Sequence, residues 1–134
     1  MAELHAKGVA TVILSSTDFG PEDKLICLAS QSGETRTAVK IEFPKLPVNF
    51  VGSGDLFTAM MTAHLNDSSG DLQTALEKTI AIMQAVLSRT LDHANKVSAH
   101  GKPTPAQLEL KIIQSKADIE NPQVKIRAEK ILPK

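Results

Sequence analysis

The sequence contains no tryptophan, no tyrosine and a single cysteine among its 134 residues. Its aromatic side chains are four phenylalanines, so it lacks the stacking platform on which proteins that bind single-stranded nucleic acid hold bases. Fifteen basic and fifteen acidic residues cancel, and no excess of positive charge is available to attract a nucleic acid or an acidic membrane surface. We therefore expect neither a nucleic acid nor a membrane among the partners of this protein.

Patterns for disulfides, targeting and metal binding are equally sparse. Cys27 has no second cysteine to pair with, and the apolar run 25–29 around it predicts a buried core position. No apolar run is long enough to cross a bilayer and no signal-peptide pattern is present, which leads us to expect a cytoplasmic protein of the cytosol. The histidines lack the spacing of metal ligands, so no metal-binding residue is predicted; they stand at positions 5, 64, 93 and 100.

The first half of the chain has the pattern of β-strands. Residues 10–14 form a continuous apolar run, which is typical of a strand buried on both faces in a parallel sheet. Residues 25–29 and 35–43 are also strand-like, and the polar residues 31–34 between them predict the loop of an antiparallel hairpin. In the second of these strands Val39, Ile41 and Phe43 alternate with polar residues, so we expect one face of the hairpin to meet solvent.

The second half has the pattern of helices. Apolar residues recur every three or four positions after Asp55 and again after Asp71, which can act as the N-cap of the second, longer helix. Thr104, Pro105 and Gln107 fit the first positions of a further helix with a capping box. Its apolar face would be formed by Leu108, Ile112 and Ile113, and Asn121-Pro122 would end it. Together the two halves predict an α/β fold without an internal domain boundary.

A glycine-bracketed turn at residues 51–57 is the strongest functional signal in the sequence. Gly52 and Gly54 leave no side chain between the backbone and a ligand, so successive N–H groups can converge on an anion at the start of the following helix. Asp55 then lies where a hydroxyl nucleophile would lose its proton, which is the role of a general base in phosphoryl transfer. The simpler alternative is a structural turn in which Asp55 only caps the helix.

Five segments in this order and spacing resemble the C-terminal part of pyridoxal kinases of eukaryotic type. They read TVILSSTD at 11–18, FVGSGDLF at 50–57, EKT at 77–79, VLSRT at 86–90 and QLELKIIQSKADIE at 107–120. The first two are shared with ribokinase-like kinases generally, whereas the last is more particular to pyridoxal kinases. The resemblance implies a partial ribokinase-like three-layer α/β/α fold, with a parallel sheet strand, an antiparallel hairpin and C-terminal helices. Residues 1–134 would be a single C-terminal portion of the kinase domain, with the N-terminal half absent.

The resemblance also implies an activity. Pyridoxal kinases transfer the γ-phosphoryl group of ATP to the 5′-hydroxyl of pyridoxal, and they act similarly on pyridoxine and pyridoxamine. Asp55 would be the catalytic base and contact the substrate, while the N–H groups of Gly52, Ser53 and Gly54 would form an anion hole. Mg²⁺ and a monovalent cation such as K⁺ would be cofactors, and the intact family member would be a homodimer.

The same resemblance implies a set of nucleotide contacts. Ser15, Ser16 and Ser53 would contact ATP phosphates, although the two adjacent serines could equally form a turn that satisfies its own backbone. Leu46 and Phe50 would contact adenine and Leu87 would close the pocket, with ordinary core packing as the alternative for all three.

Two other interpretations remain open. In the family the vitamin-binding residues lie in the N-terminal half, so we expect this chain to be inactive alone, and it could be a non-catalytic isoform or interaction fragment. It could also belong to a different ribokinase-like small-molecule kinase, although the segment 107–120 argues against this.

Overall fold

The computed structural model describes residues 1–34, 36–98 and 101–131. Its helices are α1 (Ala2–Ala6), α2 (Ser53–Asp67), α3 (Leu72–Val97) and α4 (Lys116–Glu120), and a 3₁₀ turn at Ile113–Ser115 precedes α4. Its strands are β1 (Thr11–Thr17), β2 (Lys24–Gln31), β3 (Thr37–Pro44) and β4 (Glu129–Lys130). The protein therefore has the mixed α/β composition that the sequence predicts.

The strands form one antiparallel sheet in the order β1-β2-β3-β4. The predicted hairpin is confirmed: β2 and β3 pair along their whole length, with Cys27 opposite Ile41 and Ala29 opposite Val39. Thr35, predicted to begin the second strand, lies outside the described residues. Lys40 and Glu42 point away from the core and form an ion pair of 2.9 Å, which confirms that one face of the hairpin meets solvent.

The first strand differs from its prediction. Within the described residues β1 pairs only with β2, in antiparallel orientation, so no parallel pairing is present, and Val12 is its only buried residue. Burial on both faces is therefore wrong for this strand, since Leu14 is 41% exposed. The physical reason is position: β1 lies at the edge of the sheet, while α3 packs mainly on β2 and β3.

The core lies between the sheet and the pair of helices α2 and α3. Cys27, Val39 and Ile41 of the sheet and Leu76 and Ile80 of α3 are almost completely buried there. Asp71 caps α3 as predicted, because its side chain accepts hydrogen bonds from the N–H groups of Gln73 and Thr74. The 26 residues of α3 make this helix about 39 Å long, and it contacts both the sheet and the C-terminal segment.

The predicted helix from Thr104 to the break at Asn121 and Pro122 is only partly formed: its capping box and its end, α4, are present, but residues 109–112 between them are not helical. The Thr104 N–H donates to Gln107 Oε1 over 2.8 Å and the Gln107 N–H donates back to Thr104 Oγ1 over 3.4 Å, which is the predicted capping box. The chain then leaves the helical path, because the Lys111 N–H donates to Thr90 Oγ1 of α3 over 3.0 Å instead of to a carbonyl one turn earlier. Ile113 is 86% exposed, so it contributes to no buried apolar face.

Residues 126–131 are held by α3 and by β3. The buried carboxylate of Glu77 accepts hydrogen bonds from Arg127 Nη1 over 2.7 Å and from the Ala128 N–H over 2.9 Å. β4 then pairs with β3, and the Ile131 N–H donates to the Ala38 carbonyl. In the part of the chain that the structure describes, none of the helices has the length and apolar character needed to span a membrane.

Candidate functional site

The glycine-bracketed turn forms the N-terminus of α2. Gly52 precedes the helix with φ of 83°, a left-handed conformation that a side chain would strain, which explains a glycine there. The first hydrogen bond of the helix joins the Leu56 N–H to the Gly52 carbonyl over 3.1 Å. The N–H groups of Ser53, Gly54 and Asp55 precede this bond and have no intrahelical acceptor, so they are available to an anion.

Gly54 has no comparable structural need to be a glycine. A Cβ atom built at this position would meet no atom within 4 Å, and its φ is not in the left-handed region. Glycine in a helix is less favourable than alanine by up to about 1 kcal/mol. The fold of the described residues therefore does not require a glycine at position 54. A glycine would be needed there if a ligand came close to the backbone.

Asp55 is the third residue of α2 and its side chain is exposed. Among the described residues its carboxylate accepts no hydrogen bond, and the cap of α2 is Gly52, which has no side chain. Asp55 is therefore not the N-cap of α2, but it lies in the first turn, where an acidic residue also stabilises a helix on its own. The carboxylate is stabilised by the positive end of the helix dipole and is free to contact a ligand.

A cavity of about 280 Å³ lies beside this turn, between the segment 44–50, the start of α2 and one face of α3. All six residues predicted to contact ATP line it, and Gly54 lines it too; the six are Ser15, Ser16, Leu46, Phe50, Ser53 and Leu87. Gly52 and Asp55 do not line the cavity, although each is directly bonded to a residue that does. The cavity is slightly smaller than the range of about 300 to 1,000 Å³ that is usual for small-molecule sites.

Ser15 and Ser16 reach this cavity from an irregularity in β1. Leu14 is paired with Leu28 and Thr17 with Ile26, so two residues of β1 lie opposite one residue of β2. Such a β-bulge bends a strand and redirects its side chains, and bulges are frequent beside active sites. Both serines are exposed residues of a strand, and the alternative of a terminal turn is wrong.

The three apolar residues predicted for the nucleotide are half-buried. Leu46 and Phe50 lie outside the buried core cluster, so the alternative of ordinary core packing is not supported for them. Leu87 packs against the core and also lines the cavity. Their partly exposed surfaces give the cavity an apolar wall.

The sequence interpretation missed three polar residues of the cavity wall: Lys45, Asn49 and Gln84. Lys45 and Asn49 are neighbours of the predicted Leu46 and Phe50, so only their proximity could have indicated them. Gln84 had a clearer signal, because it lies at helical spacing from apolar residues on the face of α3 that packs inward.

Two of the segments that carry the family resemblance contact each other. Arg89 Nη1 of segment 86–90 donates to Ser115 Oγ over 2.6 Å and to Asp118 Oδ2 over 2.7 Å, and both acceptors belong to segment 107–120. Leu110 of the same segment would lie 3.8 Å from a Cβ atom at Gly52. The C-terminal segment therefore approaches the glycine turn through Leu110 and contributes no residue to the cavity wall.

The described residues contain no group of three His, Cys, Asp or Glu side chains that could hold a metal ion. His5 and Ser30 are hydrogen-bonded to each other, and the other ring nitrogen of His5 donates to the Val9 carbonyl over 2.7 Å. His100 lies outside the described residues.

No family model matches the chain. It is 42% identical over 138 residues to the pyridoxal kinase of Sus scrofa, an alignment that covers 96% of this chain and 43% of that relative. The structure of the Leishmania donovani pyridoxal kinase in complex with ADP and pyridoxamine matches 95% of this chain and 41% of that one, with a TM-score of 0.80 and 21% identity. A putative phosphomethylpyrimidine kinase from Bacteroides thetaiotaomicron has a TM-score of 0.76 at 19% identity, over 97% of this chain and 41% of that one. The chain spans less than half the length of these proteins.

Proposed function

Because the chain is homologous to the C-terminal part of pyridoxal kinases, we propose that it forms the ATP side of a pyridoxal kinase active site. In the reaction, the γ-phosphoryl group of ATP is transferred to the 5′-hydroxyl of pyridoxal to give pyridoxal 5′-phosphate, and pyridoxine and pyridoxamine are alternative substrates. The observation that carries the proposal is the cavity, whose wall contains all six residues expected to contact ATP and which ends at the N-terminus of α2.

The chemical character of the wall suggests how the nucleotide lies. Leu46, Phe50 and Leu87 offer apolar surface to the adenine ring, as is usual for the less polar part of a ligand. The hydroxyls of Ser15, Ser16 and Ser53 can donate to phosphate oxygens, and they lie on the part of the wall that includes the start of α2 or the bulge of β1. This orientation directs the phosphates toward the free N–H groups of α2.

Asp55 would then act on the second substrate. Its exposed carboxylate accepts the proton of the attacking 5′-hydroxyl, and a positioned general base typically contributes a factor of about 10² to 10⁴ in rate. The N–H groups of Gly52, Ser53 and Gly54 stabilise the charge that builds on the transferring phosphoryl oxygens, and removing one such donor commonly costs about 3 kcal/mol in activation free energy.

We propose Mg²⁺ and a monovalent cation such as K⁺ as cofactors. Mg²⁺ in such enzymes is held largely by substrate phosphates with one or two carboxylates. The described residues do not form a metal site by themselves, so the ATP phosphates would supply much of the coordination. A cytosolic homodimer completes the proposal for the intact protein.

The test is formation of pyridoxal 5′-phosphate by the purified chain with MgATP and pyridoxal, beside the Asp55→Ala variant, with ADP binding measured separately for both. We expect both proteins to bind ADP and neither to form product, because the vitamin-binding residues are expected in the part of the relatives that this chain does not match. Turnover that is lost in the variant would show a complete site here. Failure of the chain to bind ADP would refute the proposed nucleotide site.

A second candidate function is association with another polypeptide. Two observations favour this function. Among the described residues β1 has a hydrogen-bonded neighbour on only one side, and it exposes Leu14. Phe19, which follows β1, is 80% exposed. Co-migration of the chain with the full-length pyridoxal kinase of Sus scrofa, measured as a single mass, would support this function, and separate masses would count against it.

A further inference from the structure

One polar side chain interrupts the apolar face that α3 turns toward the cavity. Four residues of this helix line the cavity, namely Ile80, Met83, Gln84 and Leu87, and all but Gln84 are apolar. Gln84 is half-buried, so its side chain lies on the cavity wall and still meets solvent on one side. The hydrogen bonds of the Gln84 amide show what this polar group does at the cavity wall.

The Gln84 amide is held in place by the segment that forms the opposite wall. Its Nε2 donates to the Pro44 carbonyl over 3.3 Å, which joins α3 to the last residue of β3. A primary amide has two N–H donors and one carbonyl acceptor. One donor is used here, so Oε1 and the second N–H remain available, and the bond to Pro44 fixes the direction in which they point.

We infer that Gln84 contacts the base of the bound nucleotide and selects adenine over guanine. The inference rests on the proposed function, because it assumes that the cavity holds a nucleotide. Adenine presents an amino donor beside a ring-nitrogen acceptor, and a glutamine amide pairs with this edge through its carbonyl and one N–H. Guanine presents a carbonyl oxygen where adenine has its amino group. This oxygen would face Oε1 of Gln84, and two acceptors cannot form a hydrogen bond with each other.

The other polar residues of the wall fit this role less well. Asn49 lies in the segment between β3 and α2, and its side chain has no hydrogen-bond partner among the described residues. Lys45 is exposed and carries a positive charge, which suits a phosphate better than a neutral base. Gln84 lies in the middle of a 26-residue helix, and groups on regular elements are held more precisely than groups on loops.

The test is a comparison of ADP and GDP binding to the whole chain by isothermal titration calorimetry. A well-placed two-bond contact discriminates between bases by about tenfold or more, so we expect wild type to bind ADP at least about tenfold more tightly than GDP. Gln84→Met has a similar length and no polar hydrogen-bonding group, so it should weaken ADP binding about tenfold and remove most of the preference. Gln114→Met is the matched control, because Gln114 is exposed and does not line the cavity; it should keep the wild-type preference.

A purely structural role would give a different result. If Gln84 only anchors Pro44, Gln84→Met will weaken ADP and GDP binding equally and leave their ratio unchanged, which would overturn the inference.

The outcomes separate the two proposals. Wild type that binds ADP and GDP equally would refute the role of Gln84 and leave the nucleotide site in place. Wild type that binds neither would refute the nucleotide site, and the role of Gln84 with it.

Discussion

Replacing Glu77 with alanine should detach the C-terminal segment from α3. The carboxylate is 5% exposed and accepts hydrogen bonds from Arg127, from the Ala128 N–H and, over 3.1 Å, from Gln73 Nε2. These bonds hold the residues that lead into β4, so their loss acts on the sheet edge as well as on the helix.

The expected magnitude follows from the burial of each partner. A hydrogen bond to a charged group contributes about 1.5 to 3 kcal/mol, and a buried donor left without an acceptor costs about 1 to 3 kcal/mol. Ala128 is 6% exposed, so its N–H would lose its acceptor without gaining water, whereas the 72% exposed Arg127 side chain can be rehydrated. We expect Glu77→Ala to lower the free energy of unfolding by about 3 kcal/mol.

Urea denaturation followed by far-ultraviolet circular dichroism suits this measurement, because the chain has no tryptophan or tyrosine to report by fluorescence. Glu120→Ala is the control, since Glu120 forms an exposed ion pair with Lys116 over 3.6 Å and such pairs contribute at most about 0.5 kcal/mol on a helix. A loss below about 0.5 kcal/mol for Glu77→Ala would refute the reasoning. Hydrogen exchange should become faster at residues 126–131 first.

The same contact predicts a dependence on pH. Burial raises the pKa of Glu77, but the hydrogen bonds from Gln73, Ala128 and Arg127 lower it by a larger amount. The net pKa therefore lies below the ordinary value. The unfolded chain therefore binds the proton more readily. The stabilisation is fully present above the unfolded pKa of about 4.3 and is lost as the pH falls through the folded pKa. Glu77→Gln should remove this part of the acid dependence, and an unchanged acid transition in that variant would contradict the assignment.

Two further predictions concern the turn and the C-terminal segment. Gly54→Ala should leave the free energy of unfolding unchanged or raise it by up to about 1 kcal/mol, because the new Cβ meets no atom within 4 Å. Calorimetry should show weaker ADP binding by this variant. Unchanged binding would contradict close approach of the phosphates. Arg89→Ala should lower stability by about 1 to 2 kcal/mol, because the pair with Asp118 is partly exposed but the Ser115 hydroxyl is buried. Hydrogen exchange should then become faster in residues 111–120, and an unchanged exchange rate would contradict the stabilising role of Arg89.

The sequence predicted those parts of the fold that depend on local pattern. Val39, Ile41 and Phe43 alternate, and this alternation placed β3 and its solvent face correctly. The apolar stripe and the Asp71 cap likewise predicted α3. These signals are strong because each depends on residues close together in the chain.

The errors arose where distant residues decide the structure. The capping box at Thr104 is formed, yet the Lys111 N–H donates to the Thr90 hydroxyl and the helix is interrupted until α4. No local pattern reveals this competition. The bulge that directs Ser15 and Ser16 to the cavity depends in the same way on the register of β1 against β2.

The candidate site was predicted by family resemblance more than by physical pattern. Glycine chemistry alone indicated an anion-binding turn at residues 52–54. The neighbouring Leu46 and Phe50 carry no chemical signal of their own, and only the structure shows that they share a cavity with residues from β1 and α3.

The position of Cys27 gives this protein a natural reporter of its own opening. The thiol lies at the centre of the sheet with 0% exposure, and burial raises its pKa to about 12. The thiolate is the form of cysteine that attacks alkylating reagents, so the folded chain should resist alkylation at neutral pH. Each modified molecule must first have separated β2 from its surroundings, and the rate of labelling therefore measures how often the centre of the sheet opens. No probe has to be introduced, because the sequence contains only this one thiol.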